Sequence, residues 1–219
     1  MLRERLEQVE ERIGAAARRA GRERSSITLI AVTKKFPPEV IREAYSLGLR
    51  YFGESYVQEF EAKRPALADL TGAEFHLIGH LQSNKARVAT ELFQVIETVD
   101  SERLARRLDQ AGRPLEVMIE VKLSAEASKS GAPPDVIGKL VEAIRACPNL
   151  RLTGLMTIPP WSGDPEVPRP YFRRLAALAR EHGLAKLSMG MSHDFEAAIE
   201  EGATHIRVGT ALFGPRRRD

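Results

Sequence analysis

Hydrophobic and polar positions change their spacing along this chain in a repeating order. Leu2, Leu6, Val9, Ile13 and Ala17 recur at helical intervals, so the sequence predicts an opening amphipathic helix. After Gly21, short apolar runs of strand character follow at 28–32, 50–52, 74–78, 95–99, 117–121, 152–156, 186–188 and 204–208. Helical stripes lie between them. Val40, Ala44 and Leu47 share one face, Leu104 and Leu108 follow a capping Ser101, and Val136, Leu140 and Ile144 form a third stripe. Phe172, Leu175 and Ala179 form a fourth, and Gly48, Gly112, Gly183 and Gly202 stand where helices should stop. Eight strands alternating with helices, preceded by one extra helix, is the arithmetic of an α/β fold of the (β/α)8 TIM barrel type. A doubly wound open sheet is the competing arrangement, but it would usually carry a glycine-rich turn after its first strand. Here that turn reads Lys34-Lys35-Phe36-Pro37.

Composition narrows the picture without redirecting it. The 219 residues, 43% of them hydrophobic, suit one domain over 1–219 with a sizeable core, and no Pro/Gly/Ser-rich linker divides them. The 33 basic and 30 acidic side chains are interspersed, leaving +3. The one tight basic cluster, at 216–218, reads as a solvated end, so a nucleic-acid partner is not expected. Cys147 is the sole cysteine, which excludes an intrachain disulfide and a thiolate metal cluster. The N-terminus is too acidic for a transit peptide and lacks an apolar signal core, and no stretch reaches the length of a membrane span. A soluble, cytoplasmic protein is the expectation, as monomer or weak dimer.

In a barrel of this kind the C-terminal ends of the strands form the active face, so the residues there carry the chemistry. The first strand delivers Lys34 with apolar residues behind it, a setting in which a lysine can lose its proton and attack a carbonyl. The seventh and eighth strands end in Gly190-Met191-Ser192 and Gly209-Thr210. Loops at those two positions commonly hold phosphate. Ser192 is placed to cap the helix containing Phe195, Ala198 and Ile199, while Gly209 permits close backbone approach and Thr210 adds a donor. Ordinary helix starts account for either loop alone; together, opposite a lysine, they point to a phosphate-bearing carbonyl compound. Arg207 lies two residues before Gly209, on the same face of its strand. Buried there, it needs an acceptor, and a pyridine nitrogen or an ion pair with an acid such as Glu120 would serve. An arginine partner would keep such a nitrogen unprotonated, which weakens a pyridoxal ring as an electron sink.

Other candidates carry less. The histidines at 76, 80, 182, 193 and 205 show no metal-binding spacing, and neither G-x-S-x-G nor a P-loop occurs. Glu54 and Glu59 read as a solvated helix face, and Met189 and Met191 as core filling. The segment 159–170, with Trp161 inside it, reads as one long loop between a strand and a helix.

Several strings together resemble one family. They are Ala31-Val-Thr-Lys34, Phe52-Gly-Glu-Ser-Tyr-Val-Gln-Glu59, Phe75-His-Leu-Ile-Gly-His-Leu-Gln-Ser-Asn-Lys85, Ser128-Lys-Ser-Gly131, Gly154-Leu-Met156, Leu187-Ser-Met-Gly-Met-Ser-His-Asp194 and Arg207-Val-Gly-Thr-Ala-Leu-Phe-Gly214. The chain resembles the pyridoxal phosphate homeostasis proteins, relatives of the alanine racemase N-terminal barrel (fold type III of the pyridoxal phosphate proteins), from its first helix to its end. The resemblance implies bound pyridoxal 5'-phosphate (PLP), with Lys34 as the Schiff-base lysine. It implies that Ser192, Gly209 and Thr210 hold the phosphate, that Arg207 faces the pyridine nitrogen, and that Met156 and His76 lie near the ring. One position departs: the family string carries asparagine where this chain has Ser55. A cofactor contact from there falls to a shorter hydroxyl, with water bridging the difference.

The same resemblance implies a protein that binds, buffers and hands on PLP, with PLP-dependent apo-enzymes as recipients and without strong turnover. Racemases and decarboxylases of this barrel type resemble two-domain proteins, in which a second domain closes the site; an open site leaves the bound group wet and screens electrostatic assistance. An amino-acid racemase using PLP is the alternative, and it predicts exchange of the substrate α-proton with solvent. A Schiff-base aldolase predicts no chromophore, and a nucleic-acid or partner module built on the tail at 216–218 predicts salt-sensitive binding.

Overall fold

A computed structural model describes residues 1–124, 126 and 130–215. The string around Ser128 and the tail at 216–218 therefore fall, wholly or in part, outside the described residues. Among the described residues eight strands run in chain order: β1 Thr28–Val32, β2 Tyr51–Glu54, β3 Glu74–Leu77, β4 Val95–Val99, β5 Leu115–Glu120, β6 Leu150–Met156, β7 Lys186–Met191 and β8 His205–Val208. Each pairs in parallel with the next, and β8 returns to pair with β1 from Thr28↔His205 to Ala31↔Val208. That last ladder closes the ring and decides between a barrel and an open sheet.

The helices form the outer layer. They are α1 Leu2–Arg19, α2 Pro38–Ser46, α3 Val57–Lys63, α4 Ala86–Leu92, α5 Glu102–Asp109, α6 Ile137–Arg145, α7 Arg169–Glu181, α8 Phe195–Glu200 and α9 Thr210–Phe213. Their apolar stripes meet the outward-facing strand residues in one continuous core, with Leu29 and Ala31 of β1, Phe75 and Leu77 of β3, and Ile206 and Val208 of β8 among its members. Ser101 caps α5 as its sequence position predicts, its hydroxyl accepting from Leu104 N. Strand bounds depart from the apolar runs in both directions: β1 and β4 match them, β3 and β8 are one residue shorter, and β6 and β7 run longer. β7 continues to Met191 because a register shift against β8 carries its pairing past Ser188.

The extra helix α1 packs over α8 and α9, beside the last two strands. Arg12 grips Glu196 with two hydrogen bonds of 2.7 and 2.8 Å and lies 4.4 Å over the Phe195 ring. Arg22 donates to the carbonyls of Ile199 and Ala203 at the other end of α8.

Two side-chain expectations change. Glu54 is fully buried rather than solvated, because the last residue of β2 points outward beneath α3 and meets Lys63 at 3.0 Å. Met189 fills the core as expected, but Met191 faces a cavity at the strand ends. No helix among the described residues is long and apolar enough to cross a membrane.

Candidate functional site

Lys34 stands on a turn held from beneath. The Thr33 hydroxyl donates to Glu54 (2.8 Å), Lys63 donates to the Thr33 carbonyl (3.1 Å) and to both Glu54 oxygens, and the Lys35 N–H donates to Glu59 (2.5 Å). Lys63 also pairs with Glu59 at 2.6 Å. Lys35 itself takes φ +64°, the sole positive value for a non-glycine among the described residues. Such a left-handed residue costs roughly 1–2 kcal/mol and persists where its surroundings hold it. The Glu54–Lys63–Glu59 clamp supplies that hold, and it fixes where the chain leaves β1. Sequence reasoning missed this role. The available signal was a carboxylate closing a strand with a lysine one helix later.

Two strands round the barrel mouth from β1, at the end of β7, Ser192 serves differently from its expected role. It does not cap α8. Its hydroxyl instead accepts from the backbone N–H groups of Gly209 and Ala211, each at 3.2 Å, and so joins the loops after β7 and β8. The turn that delivers it needs Gly190, whose φ is +91° and where a Cβ would lie 2.6 Å from the Ala198 methyl. Asp194 completes the turn by accepting from Met191 N at 2.6 Å.

Arg207 projects inward from β8 and is almost wholly buried. Its guanidinium donates to the Ser188 hydroxyl and to the Thr157 carbonyl, both at 2.8 Å. The direct ion pair with Glu120 weighed from sequence does not form, and Glu120 acts on Arg207 only through space. Burial lowers the arginine pKa, opposed by the charges of Glu97, Asp194 and Glu120. Burial also raises Glu120 to about 7, helped by Asp100 and opposed by Arg207.

These groups meet around one cavity of about 540 Å³ at the C-terminal end of the barrel. Lys34, Ser192, Arg207, Gly209 and Thr210 all line it, joined by Trp161, Asp194 and Met191. Three other expected residues lie elsewhere. Ser55 and Met156 are buried near the strand ends but outside the cavity wall, with Ser55 pressed against Gly79. His76 sits lower in the barrel, bonded to Glu97 at 2.7 Å and to Glu74 at 3.0 Å. Among the described residues no cluster of three or more His, Cys, Asp or Glu is arranged to hold a metal.

The family model described as alanine racemase, N-terminal domain, matches residues 5–217. A pyridoxal phosphate homeostasis protein of Aquifex aeolicus is 46% identical over 98% of each chain. The chain belongs to the pyridoxal phosphate homeostasis protein family. A solved structure of a relative, PipY of Synechococcus elongatus with PLP bound, superposes on this homeostasis-family barrel with a TM-score of 0.84. The two are 38% identical over 98% of this chain and 100% of that one. Alanine racemase of Corynebacterium glutamicum shares the fold at 21% identity and a TM-score of 0.69, with 96% of this family member matching 61% of the racemase.

Proposed function

We propose that residues 1–219 act as one PLP-binding domain that holds the cofactor, buffers it and passes it to PLP-dependent apo-enzymes. The observation that carries this reading is the convergence of Lys34, Arg207 and the Ser192/Gly209/Thr210 cradle on one cavity. PLP offers an aldehyde, a ring nitrogen and a phosphate, and the cavity presents a separate partner for each. At about 540 Å³ it also falls within the usual range for small-molecule sites. Lys34 would hold the aldehyde carbon as a Schiff base. Ser192, whose oxygen accepts from Gly209 and Ala211 so that its own O–H is left to donate, would hold the phosphate together with the Thr210 hydroxyl, and Gly209 lets the backbone come close to it.

Arg207 would donate to the ring nitrogen and, being protonated itself, keep that nitrogen free of a proton. When bound, PLP supplies an electrophilic aldehyde and a ring that draws in electron density, and the arginine limits the second property. That restraint favours holding over turnover, in agreement with the homeostasis name its relatives carry.

The test is the visible spectrum of the purified protein incubated with PLP, before and after borohydride reduction, followed by peptide mass mapping. A yellow protein whose reduced adduct maps to Lys34, and which donates PLP to an apo-enzyme, supports the carrier. A protein left colourless and unmodified overturns it. Rapid exchange of an amino acid's α-proton with solvent would replace carrier by racemase.

A further inference from the structure

The middle of the barrel is crossed by an unbroken hydrogen-bonded chain. Arg207 donates to the Ser188 hydroxyl at 2.8 Å, and Ser188 bonds Glu97 at 2.5 Å. Glu97 bonds His76 Nδ1 at 2.7 Å, and His76 Nε2 bonds Glu74 at 3.0 Å. Ser188 on β7 and Glu97 on β4 belong to strands on opposite sides of the ring, so this link passes through the interior. Ser188 and Glu97 are fully buried, His76 and Arg207 nearly so. Only Glu74, at the start of β3, reaches partly into solvent.

The direction of every proton follows by elimination. A guanidinium has donors only, so the Ser188 oxygen accepts from Arg207 and its single proton is committed to Glu97. An ionised carboxylate only accepts, so Glu97 takes one proton from Ser188 and one from His76 Nδ1. Glu74 accepts from Nε2, so the His76 ring carries both protons. The result is an alternation of charge, Arg207 positive, Glu97 negative, His76 positive and Glu74 negative, with a serine as the one neutral link. The electrostatic balance at the two buried groups agrees with it. Burial alone would lower His76, but hydrogen bonds to Glu74 and Glu97 and their charges raise it to about 9. Burial would raise Glu97, yet the His76 bond and the charges of His76, Arg207 and His205 bring it to about 2.

We infer that Ser188 and Glu97 are positioning residues for Arg207, fixing the guanidinium that meets the cofactor ring from within the barrel. The inference rests on the proposed reading that Arg207 faces PLP. Ser188 and the Thr157 carbonyl occupy one N–H on each terminal nitrogen, and the donors that remain are those available to the cavity. Without the Ser188 hydroxyl the guanidinium loses one of its two fixed points. The acceptor then at hand is Glu120, a buried carboxylate whose Oε2 has no hydrogen-bond partner. Turning toward it draws Arg207 from the ring nitrogen. The chain thereby makes a histidine outside the cavity part of the cofactor's electrostatic setting.

Ser188→Ala is the decisive variant, because it cuts the link while leaving the Glu97–His76 pair in place; Glu97→Gln keeps the shape and removes the charge. Both are expected to load PLP on Lys34, to bind it roughly tenfold more weakly, and to shift the absorption maximum of the bound chromophore. A purely structural role would lower the melting temperature and leave that maximum unmoved. Nitrogen-15 NMR of the cofactor-free wild-type protein gives a second measure. It should show a doubly protonated His76 ring at neutral pH, with resonances that move on PLP loading and cease to do so in Ser188→Ala. A neutral His76 ring overturns the chain, as does a Ser188→Ala protein with wild-type affinity and spectrum. A wild-type protein that takes up no PLP instead removes the reading on which the inference rests, and the two failures are told apart by the cofactor-free spectrum.

Discussion

At Gly190 the backbone takes a left-handed φ, and the space a side chain would need is already filled by Ala198 and the backbone of Phe195. No L-residue meets both conditions cheaply. Gly190→Ala is expected to cost about 2 kcal/mol or more in stability and to weaken PLP binding further, since the turn it distorts delivers Ser192. Urea unfolding and a PLP titration of the same variant check the two parts. The residues that proved legible in sequence share a property with this turn. Lys34, Ser192, Gly209 and Thr210 follow the ends of strands, where position along the chain fixes position on the active face, and Arg207 stands two residues earlier on the same strand face as Gly209. His76 and Ser55 show the boundary of that reasoning. Period-two alternation tells which side of a strand a residue faces, but its height in the barrel depends on stagger between strands. His76 is aligned with Val95 at the start of β4, well below the mouth.

Among the elements, the β1 turn depends on a partner from the next βα unit. Lys63 on α3 is buried, pairs with Glu54 and Glu59, and holds the Thr33 carbonyl. Removing one side of a buried ion pair leaves the other charge stranded and commonly costs about 3–5 kcal/mol. Lys63→Met is therefore expected to lose stability on that scale, and the double variant with Glu54→Gln to recover part of it. Comparing the two single variants with the double one by urea unfolding measures the coupling. The order of strands and helices was readable from spacing, because each strand's outward face and each helix's stripe bury against one another. The clamp was not, since a glutamate and a lysine nine positions apart look like any solvated pair until strand and helix are stacked. Glu97 and Ser188 were hidden more deeply. A carboxylate within the run Val95-Ile-Glu-Thr-Val99 is a visible anomaly, but its partner lies 91 residues away across the barrel.

Taken whole, the molecule departs from the aliphatic layers that usually fill an eight-stranded barrel. Its interior carries His76, Glu97, His205 and Arg207, all buried. The two histidines work in opposite senses. His76 is raised to about 9, so the stability it contributes is full below its unfolded value near 6.5 and is lost as pH rises through about 9. His205 is lowered to about 4 by burial, against the attraction of Glu97 and with the repulsion of His76 and Lys186. The unfolded chain binds that proton first, so stability falls as pH drops from about 6.5 toward about 4. Unfolding free energy should peak near neutral pH and decline on both sides. Replacing His76 by Gln should flatten the alkaline decline and leave the acid one, as denaturant titrations across the pH range will record.

Trp161 is the chain's single tryptophan, it lines the cavity, and it is 81% exposed. The segment that bears it is tied to the neighbouring loop by the hydrogen bond between His193 and the Gly163 carbonyl. An indole at the rim of a site for an absorbing cofactor is a built-in optical gauge. Its emission should dim as PLP enters and brighten as PLP leaves, so loading, and the hand-over to an apo-enzyme proposed above, can be timed in solution on the unlabelled protein.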